Sequence, residues 1–179
     1  MNTTYQRQIS ALGWAELRSL WQQIQASDTP QWPPGRALEY LVIRAFQLDG
    51  ATVRFPYSVR LEGEEVEQID GAVHWQSFSC LVETKDFAEP VNVEPIAKLR
   101  NQLLRRPGGT IGLVFSRNGF TQPAKTLAQY VAPQTILLWT GKELDYSLAQ
   151  ERILDFLVQK YRVAVEQAQF DYLVYEETL

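Results

Sequence analysis

The stretch QIDGAVHWQSFSCLVETKD, residues 68–86, decides the fold. "VEQIDGAVHW" and "SFSCLVETK" are rich in β-branched and aromatic residues and abut at Gln76-Ser77, so they predict two strands joined by a hairpin. With Gln76-Ser77, or a four-residue loop, at the tip, the antiparallel register sets Trp75 against Phe78, His74 against Ser79 and Asp70 against Glu83. A three-residue loop shifts the pairing by one and sends the two carboxylates to opposite faces. Side chains alternate along a strand, so Glu83 and Lys85 share a face, while Thr84 and Asp86 fall on the other.

Upstream, Trp14, Leu17, Trp21 and Ile24 recur at helical spacing and predict a helix over 13–26, which ends at the breaker run "SDTPQWPPG". Pro34-Gly35 opens a second helix, "RALEYLVIRAFQLDG", with Leu38, Leu41, Val42, Ala45 and Phe46 on one face and Gly50 as its stop. "ATVRFPYSVR" then completes a meander of three strands between about 51 and 85. Downstream, "EPIAKLRNQLLRR" predicts a crossover helix ending at "PGG". "TIGLVFS", "TQPAKTLAQYV" and "TILLW" follow as strand, short helix and strand, like the βαβ units of a parallel sheet. Ser147 and Gln150 suggest a capping box for a long last helix, "SLAQERILDFLVQKYRVAVEQAQ", and "FDYLVY" is left as a strand or a packed tail. The expectation is an α/β chain with a mixed central sheet, a three-strand meander plus βα strands, flanked by helices on both faces. It forms one domain over 1–179, with an N-terminal helix at 13–26, a core at 35–140 and a C-terminal helix and tail at 147–179.

At 179 residues and 45% hydrophobic content the chain has enough material for a core without staples. One cysteine, Cys80, and one histidine, His74, exclude an internal disulfide and a Cys/His zinc site, so any metal here is held by carboxylates. The sequence has neither a signal-peptide-like start nor a membrane-length apolar run, and the expectation is a soluble cytoplasmic protein with no membrane partner. The net charge of −4 hides a segregation. From Pro95 to Lys142 there is no Asp or Glu but seven Lys and Arg, whereas Leu61 to Glu94 holds nine acids against Lys85 alone.

Like charges opposite each other in a covered sheet destabilise it, so Asp70 and Glu83 call for a compensating cation. Mg²⁺, which takes one or two carboxylates with water and phosphate oxygens, suits them; Thr84 can add its backbone carbonyl, and Lys85 lies alongside. Asp70, twelve residues, then Glu83-Thr84-Lys85 resembles the D…(D/E)xK signature of the restriction-endonuclease-like, or PD-(D/E)XK, nuclease superfamily. The family order of helix, three-strand meander, crossover helix and strand resembles residues 35–116 and extends toward 140; Ile69 stands where the fuller pattern has proline.

The resemblance implies a nuclease that hydrolyses DNA phosphodiester bonds with a water activated by Mg²⁺ or Mn²⁺. Asp70 and Glu83 would be metal ligands, and Thr84 would offer its carbonyl. Lys85 would be the catalytic lysine and Glu39, on the second helix, an accessory or second-metal carboxylate. Lys98 or Gln102 could serve from the crossover helix. The cationic wall for the DNA backbone would draw on Lys98, Arg100, Gln102, Arg105, Arg106, Arg117 and Lys125.

Plainer readings stand beside these. Asp70-Gly71 also suits a tight turn, Glu83 and Lys85 an exposed ion pair, Glu39 an ordinary helix surface, and His74 a hydrogen-bonded structural role; Cys80 reads as core. The competing function is a catalytically silent module of the same fold that binds nucleic acid or a protein partner, with the C-terminal helix available for a homodimer. No GxxxxGK loop supports a nucleotide-driven motor or kinase.

Overall fold

The computed structural model describes residues 3–130 and 133–175. The expected helix at 13–26 is α2 (Trp14–Gln25), preceded by a short α1 (Thr3–Ser10) that the sequence reading did not identify; the second helix is α3 (Arg36–Leu48). Leu38, Leu41, Val42, Ala45 and Phe46 are all buried on α3, and burying each large apolar side chain contributes about 1.5–3 kcal/mol.

The expected three strands of 51–85 are five. Pro56 lies between β1 (Thr52–Arg54) and β2 (Tyr57–Leu61), and the chain bends at Asp70 between β3 (Glu64–Ile69) and β4 (Gly71–Trp75), ahead of β5 (Phe78–Lys85). Proline cannot supply a ladder N–H. Glu62 and Gly63, both at positive φ (52° and 90°), turn β2 back onto β3 as a separate two-stranded sheet. The meander therefore exists as β1, β4 and β5, with the β2–β3 hairpin inserted in it.

Beyond β5 run α4 (Glu94–Leu103), β6 (Ile111–Ser116), α5 (Gln122–Tyr130) and β7 (Ile136–Thr140), and the main sheet is ordered β1-β4-β5-β6-β7. β1, β4 and β5 pair antiparallel; β5, β6 and β7 pair parallel. The expected end of the α5 segment, Val131, lies outside the described residues.

The long last helix is two helices, α6 (Gly141–Gln150) and α7 (Ile153–Gln167), because Glu151 takes a left-handed conformation with φ 57°. The capping box is at Thr140 and Glu143, not at Ser147 and Gln150: the Glu143 N–H donates to Thr140 Oγ1 and the Thr140 N–H to Glu143 Oε2. Ser147 Oγ instead donates to the Glu143 carbonyl inside α6. "FDYLVY" packs as a tail, its Phe170 carbonyl accepting from the Leu138 N–H at the edge of β7; residues 176–179 of the expected tail lie outside the described residues.

One face of the sheet, through Val73, Cys80, Val82, Leu113, Phe115, Leu137 and Trp139, packs in a cluster with side chains of α2, α3, α6 and α7. The other, through Ala72, Leu81, Val114, Ile136 and Leu138, packs against α4 and α5. α7 turns Ile153, Leu154, Phe156, Leu157, Val163 and Ala164 inward, so its apolar face serves its own core and lends no support to dimerisation. Among the described residues no helix is long and apolar enough to cross a membrane.

Candidate active site

The hairpin register is the two-residue-turn register. Trp75 pairs with Phe78, His74 with Ser79, and Gly71 with Val82, which sets Asp70 beside Glu83 one step past the end of β4. Gln76 at the tip takes φ 49°. Asp70-Gly71 is not a hairpin turn: Gly71 begins β4 beneath α3, where an added Cβ would lie 2.2 Å from Ile43 Cδ1. This glycine serves the close approach of helix to sheet.

Because β4 begins only at Gly71, the N–H of Thr84 has no strand partner, and the Asp70 carboxylate supplies one. Asp70 Oδ2 accepts from the Thr84 N–H at 2.8 Å and from Thr84 Oγ1 at 3.1 Å. In a parallel strand the N–H and C=O of one residue point to the same side. The Lys85 carbonyl faces β6, accepting from the Arg117 N–H, so the Thr84 carbonyl faces the side of Asp70.

Glu83 shares the α4 face with Leu81 and is fully buried. Its Oε1 accepts from Lys85 Nζ at 2.5 Å and from Lys98 Nζ at 3.0 Å, and its Oε2 from Lys98 Nζ at 2.8 Å. Lys98, on α4, is thus brought directly to the acid. Burial draws the Lys98 ammonium pKa down, but the hydrogen bond and charge of Glu83 outweigh it and hold that pKa above its usual value. Glu83 and Lys85 are therefore not an exposed surface pair.

Glu39 approaches from α3, on the opposite face of the sheet. Its side chain is 15% exposed and takes an ion pair from Arg36 at 2.6 Å. Burial, then the charge of Asp70, push its carboxyl up to about 7, with Arg36 opposing. The Asp70 carboxyl is likewise raised, first by burial and then by Glu83, against the Thr84 N–H and the two lysines. The three acids thus lie in sequence, with Glu39 and Glu83 arriving from opposite faces and Asp70 between them. Among the described residues no three His, Cys, Asp or Glu side chains stand close enough to share one ion.

The donor chemistry nonetheless fits a hard cation. Asp70, Glu83 and the Thr84 carbonyl offer oxygens only, burial and then the neighbouring Glu83 raise the Asp70 carboxyl, and Mg²⁺ commonly takes one or two carboxylates and completes its shell with water. A cation at Glu83 would have to compete with the Lys98 ammonium.

Most of the basic run is held by contacts within the chain. Arg105 and Arg106 both engage the buried Glu67 of β3, and Gln102 is buried with its Nε2 on the Gln68 carbonyl at 3.1 Å. These three residues tie the β2–β3 hairpin to α4. Arg117 donates to the Ile24 carbonyl and Ser27 Oγ, and its Nε stands 2.9 Å from Asp86 Oδ1 without hydrogen-bonding geometry. Lys125 pairs with Asp171. Arg100 is exposed on α4 with no ion pair among the described residues. His74 is exposed and bonds Ser79 Oγ; Cys80 is buried, and burial pushes its thiol up to about 12.

The cations that line a cleft beside Asp70 and Glu39, of about 410 Å³, are Arg36, Arg54 and Arg60. The sequence reading missed them because they are scattered over α3, β1 and β2; the Glu62-Gly63 turn was the available signal that Arg60 lies on a hairpin beside Asp70.

A mixed sheet of this order, covered by helices on both faces and carrying an acid pair where β4 and β5 part, defines the restriction-endonuclease-like class. Residues 33–148 match the Mrr_cat family model, described as a restriction endonuclease, and the chain belongs to that family. The match runs through α3 to most of α6 and leaves α1, α2 and α7 outside it. Among solved structures, the small subunit of the heterodimeric restriction endonuclease R.BspD6I is similar in fold, with TM-score 0.58 and 11% identity over 89% of this chain and 91% of that one. A protein of unknown function, AF1548, gives TM-score 0.50 and 16% identity over 74% and 77%. The MspJI restriction endonuclease, solved with a 27-mer oligonucleotide, gives TM-score 0.44 and 20% identity over 92% of this chain and 37% of that one. No curated protein matches the sequence.

Proposed function

We propose that the chain is a divalent-cation-dependent nuclease that hydrolyses DNA phosphodiester bonds. The observation that carries the reading is the register that sets Asp70 beside Glu83, with the Thr84 main chain between them and Lys85 on the same acid. Asp70, Glu83 and the Thr84 carbonyl would hold Mg²⁺ or Mn²⁺, with Glu39 as an accessory carboxylate. The ion supplies neutralisation of phosphate charge and acidification of water.

The residues of the chain do the positioning. β5, packed on both faces, holds Glu83 and Lys85 at a fixed separation. Lys85 keeps its ammonium on Glu83 Oε1, beside the acid pair, where it can stabilise negative charge developing on a phosphoryl oxygen. Arg36 fixes Glu39, whose carboxyl near 7 can hold or release a proton at neutral pH.

The test is incubation of the purified chain with supercoiled, linear and branched DNA in Mg²⁺ or Mn²⁺, with and without chelator. Cleavage by wild type that stops with chelator and in Asp70→Ala supports the reading; cleavage that persists in Asp70→Ala removes the site assignment. A second reading, a nuclease-fold module that binds without cutting, is favoured by the lysines that already satisfy both Glu83 oxygens. It predicts binding and no cleavage by any form.

A further inference from the structure

Five of the seven basic residues in the 95–142 run are already occupied by ion pairs: Lys98 with Glu83, Arg105 and Arg106 with Glu67, Arg117 with Asp86, and Lys125 with Asp171. Arg117 is mostly buried against Asp86, Ile24 and Ser27. Arg54 and Arg60 differ: both are exposed, and among the described residues neither has a carboxylate within ion-pair distance. The Arg54 guanidinium is stacked 3.8 Å over the Tyr57 ring, a contact that fixes the plane of its donors without using them.

Both arginines line the cleft that holds Asp70 and Glu39. Arg54 and Tyr57 also line a second cleft, of about 430 Å³, bounded by His74, Ser79, the Glu67-paired Arg106 and the turn at Pro107–Thr110. The two clefts therefore adjoin at the stacked Arg54–Tyr57 pair, the first of them beside the acid cluster. A small ligand needs one pocket; adjoining clefts with arginine forks along them suit a chain of repeating phosphates.

We propose that Arg54 and Arg60 are the backbone-phosphate clamp of this protein, and that nucleic acid runs along α3, β1 and β2 rather than along the basic face of α4. Only the identity of the polymer rests on the nuclease reading. The acidic end of the first cleft lies where a phosphate could meet Asp70 and Glu39, and the two arginines hold the phosphates leading away from it. Arg36 is engaged with Glu39 and is not part of the clamp.

The test is the salt dependence of binding of the full chain to a short DNA duplex in EDTA, so that cutting does not enter the measurement. Each phosphate contact contributes about 0.9 to the slope of log affinity against log salt, so Arg54→Gln/Arg60→Gln should lower the slope by about 1.8. At 0.1 M salt that corresponds to about eightfold per contact and roughly sixtyfold for both. Arg54→Lys/Arg60→Lys should keep the slope, and Arg162→Gln on α7 should change neither slope nor affinity. Thermal melting of each variant verifies the fold. An unchanged slope in Arg54→Gln/Arg60→Gln overturns the proposal, as does a wild-type chain that does not bind DNA. A protein that binds with this slope pattern but never cuts keeps the clamp and sinks the catalytic reading.

Discussion

Gly71→Ala tests how the fold sets the acid cluster. The new methyl would stand 2.2 Å from Ile43 Cδ1, 2.6 Å from Ile43 Cγ1 and 3.2 Å from the Arg54 carbonyl oxygen. Carbon contacts are optimal near 3.5–4.0 Å, so more than 1 Å must be absorbed, roughly the whole allowance of a packed interior. Ile43 is fully buried, and its rotation is confined by the core on that side. The relief available is movement of α3 away from β4, and Ile43 lies one turn beyond Glu39, so that movement carries Glu39 from Asp70. Overpacking of this kind costs about 1–3 kcal/mol, and with a urea slope of about 2 kcal/mol per molar it lowers the unfolding midpoint by roughly 0.5–1.5 M. Ile43→Ala, destabilising by about 2–5 kcal/mol alone, opens the space the methyl needs. In that background Gly71→Ala should cost less than about 0.5 kcal/mol, a coupling of about 0.5 kcal/mol or more in a double-mutant cycle read by urea unfolding. Equal costs in the two backgrounds would refute the claim that Gly71 is there for helix approach.

Three further outcomes follow from the electrostatics. Lys160 is buried with Glu143 at 2.6 Å, so Lys160→Met should lower stability by about 3–5 kcal/mol, measured by urea unfolding, whereas Glu143→Leu/Lys160→Met should recover most of the loss despite the missing α6 cap. Glu39 has a folded pKa raised to about 7 against an ordinary 4.5, so the native state binds its proton more tightly; stability contributed by the protonated form is full below about pH 4.5 and is lost as pH rises to about 7. Glu39→Gln should flatten that part of the stability profile, and an unaltered profile would contradict the assignment. Glu67→Gln should loosen the Arg105 and Arg106 ties and speed amide exchange in β2 and β3 while leaving β5 and β6 protected; uniform exchange would count against it.

The sheet core was legible because its signals are local. Gln76-Ser77 between two apolar runs fixes the β4–β5 register, and the apolar strands "TIGLVFS" and "TILLW" with a helix between them give the parallel pair. The inserted β2–β3 hairpin was not, because Pro56, Glu62-Gly63 and Asp70-Gly71 mark breaks between strands without saying which sheet the following strand joins. The break at Glu151 escaped for another reason: a non-glycine residue in the left-handed region leaves the helical pattern on either side of it intact. At the site, the neighbourhood of Asp70, Glu83 and Lys85 followed from strand parity. The occupation of Arg105, Arg106 and Arg117 did not, since an acid-free stretch of sequence says nothing about carboxylates that come from Glu67 and Asp86 elsewhere in the chain. The same holds for Arg54 and Arg60, which come to share a cleft with Asp70 only once β1 pairs with β4 and the β2–β3 hairpin folds back.

The most direct test of the central claim is the single-turnover rate of DNA cleavage at saturating Mn²⁺, for wild type and for Lys85→Ala with its fold verified by thermal melting. Loss of one preorganised charge at the reacting phosphate corresponds to a fall of about 10²–10³-fold, which is the predicted result. A Lys85→Ala rate within a few-fold of wild type would place the chemistry somewhere other than at Asp70, Glu83 and Lys85.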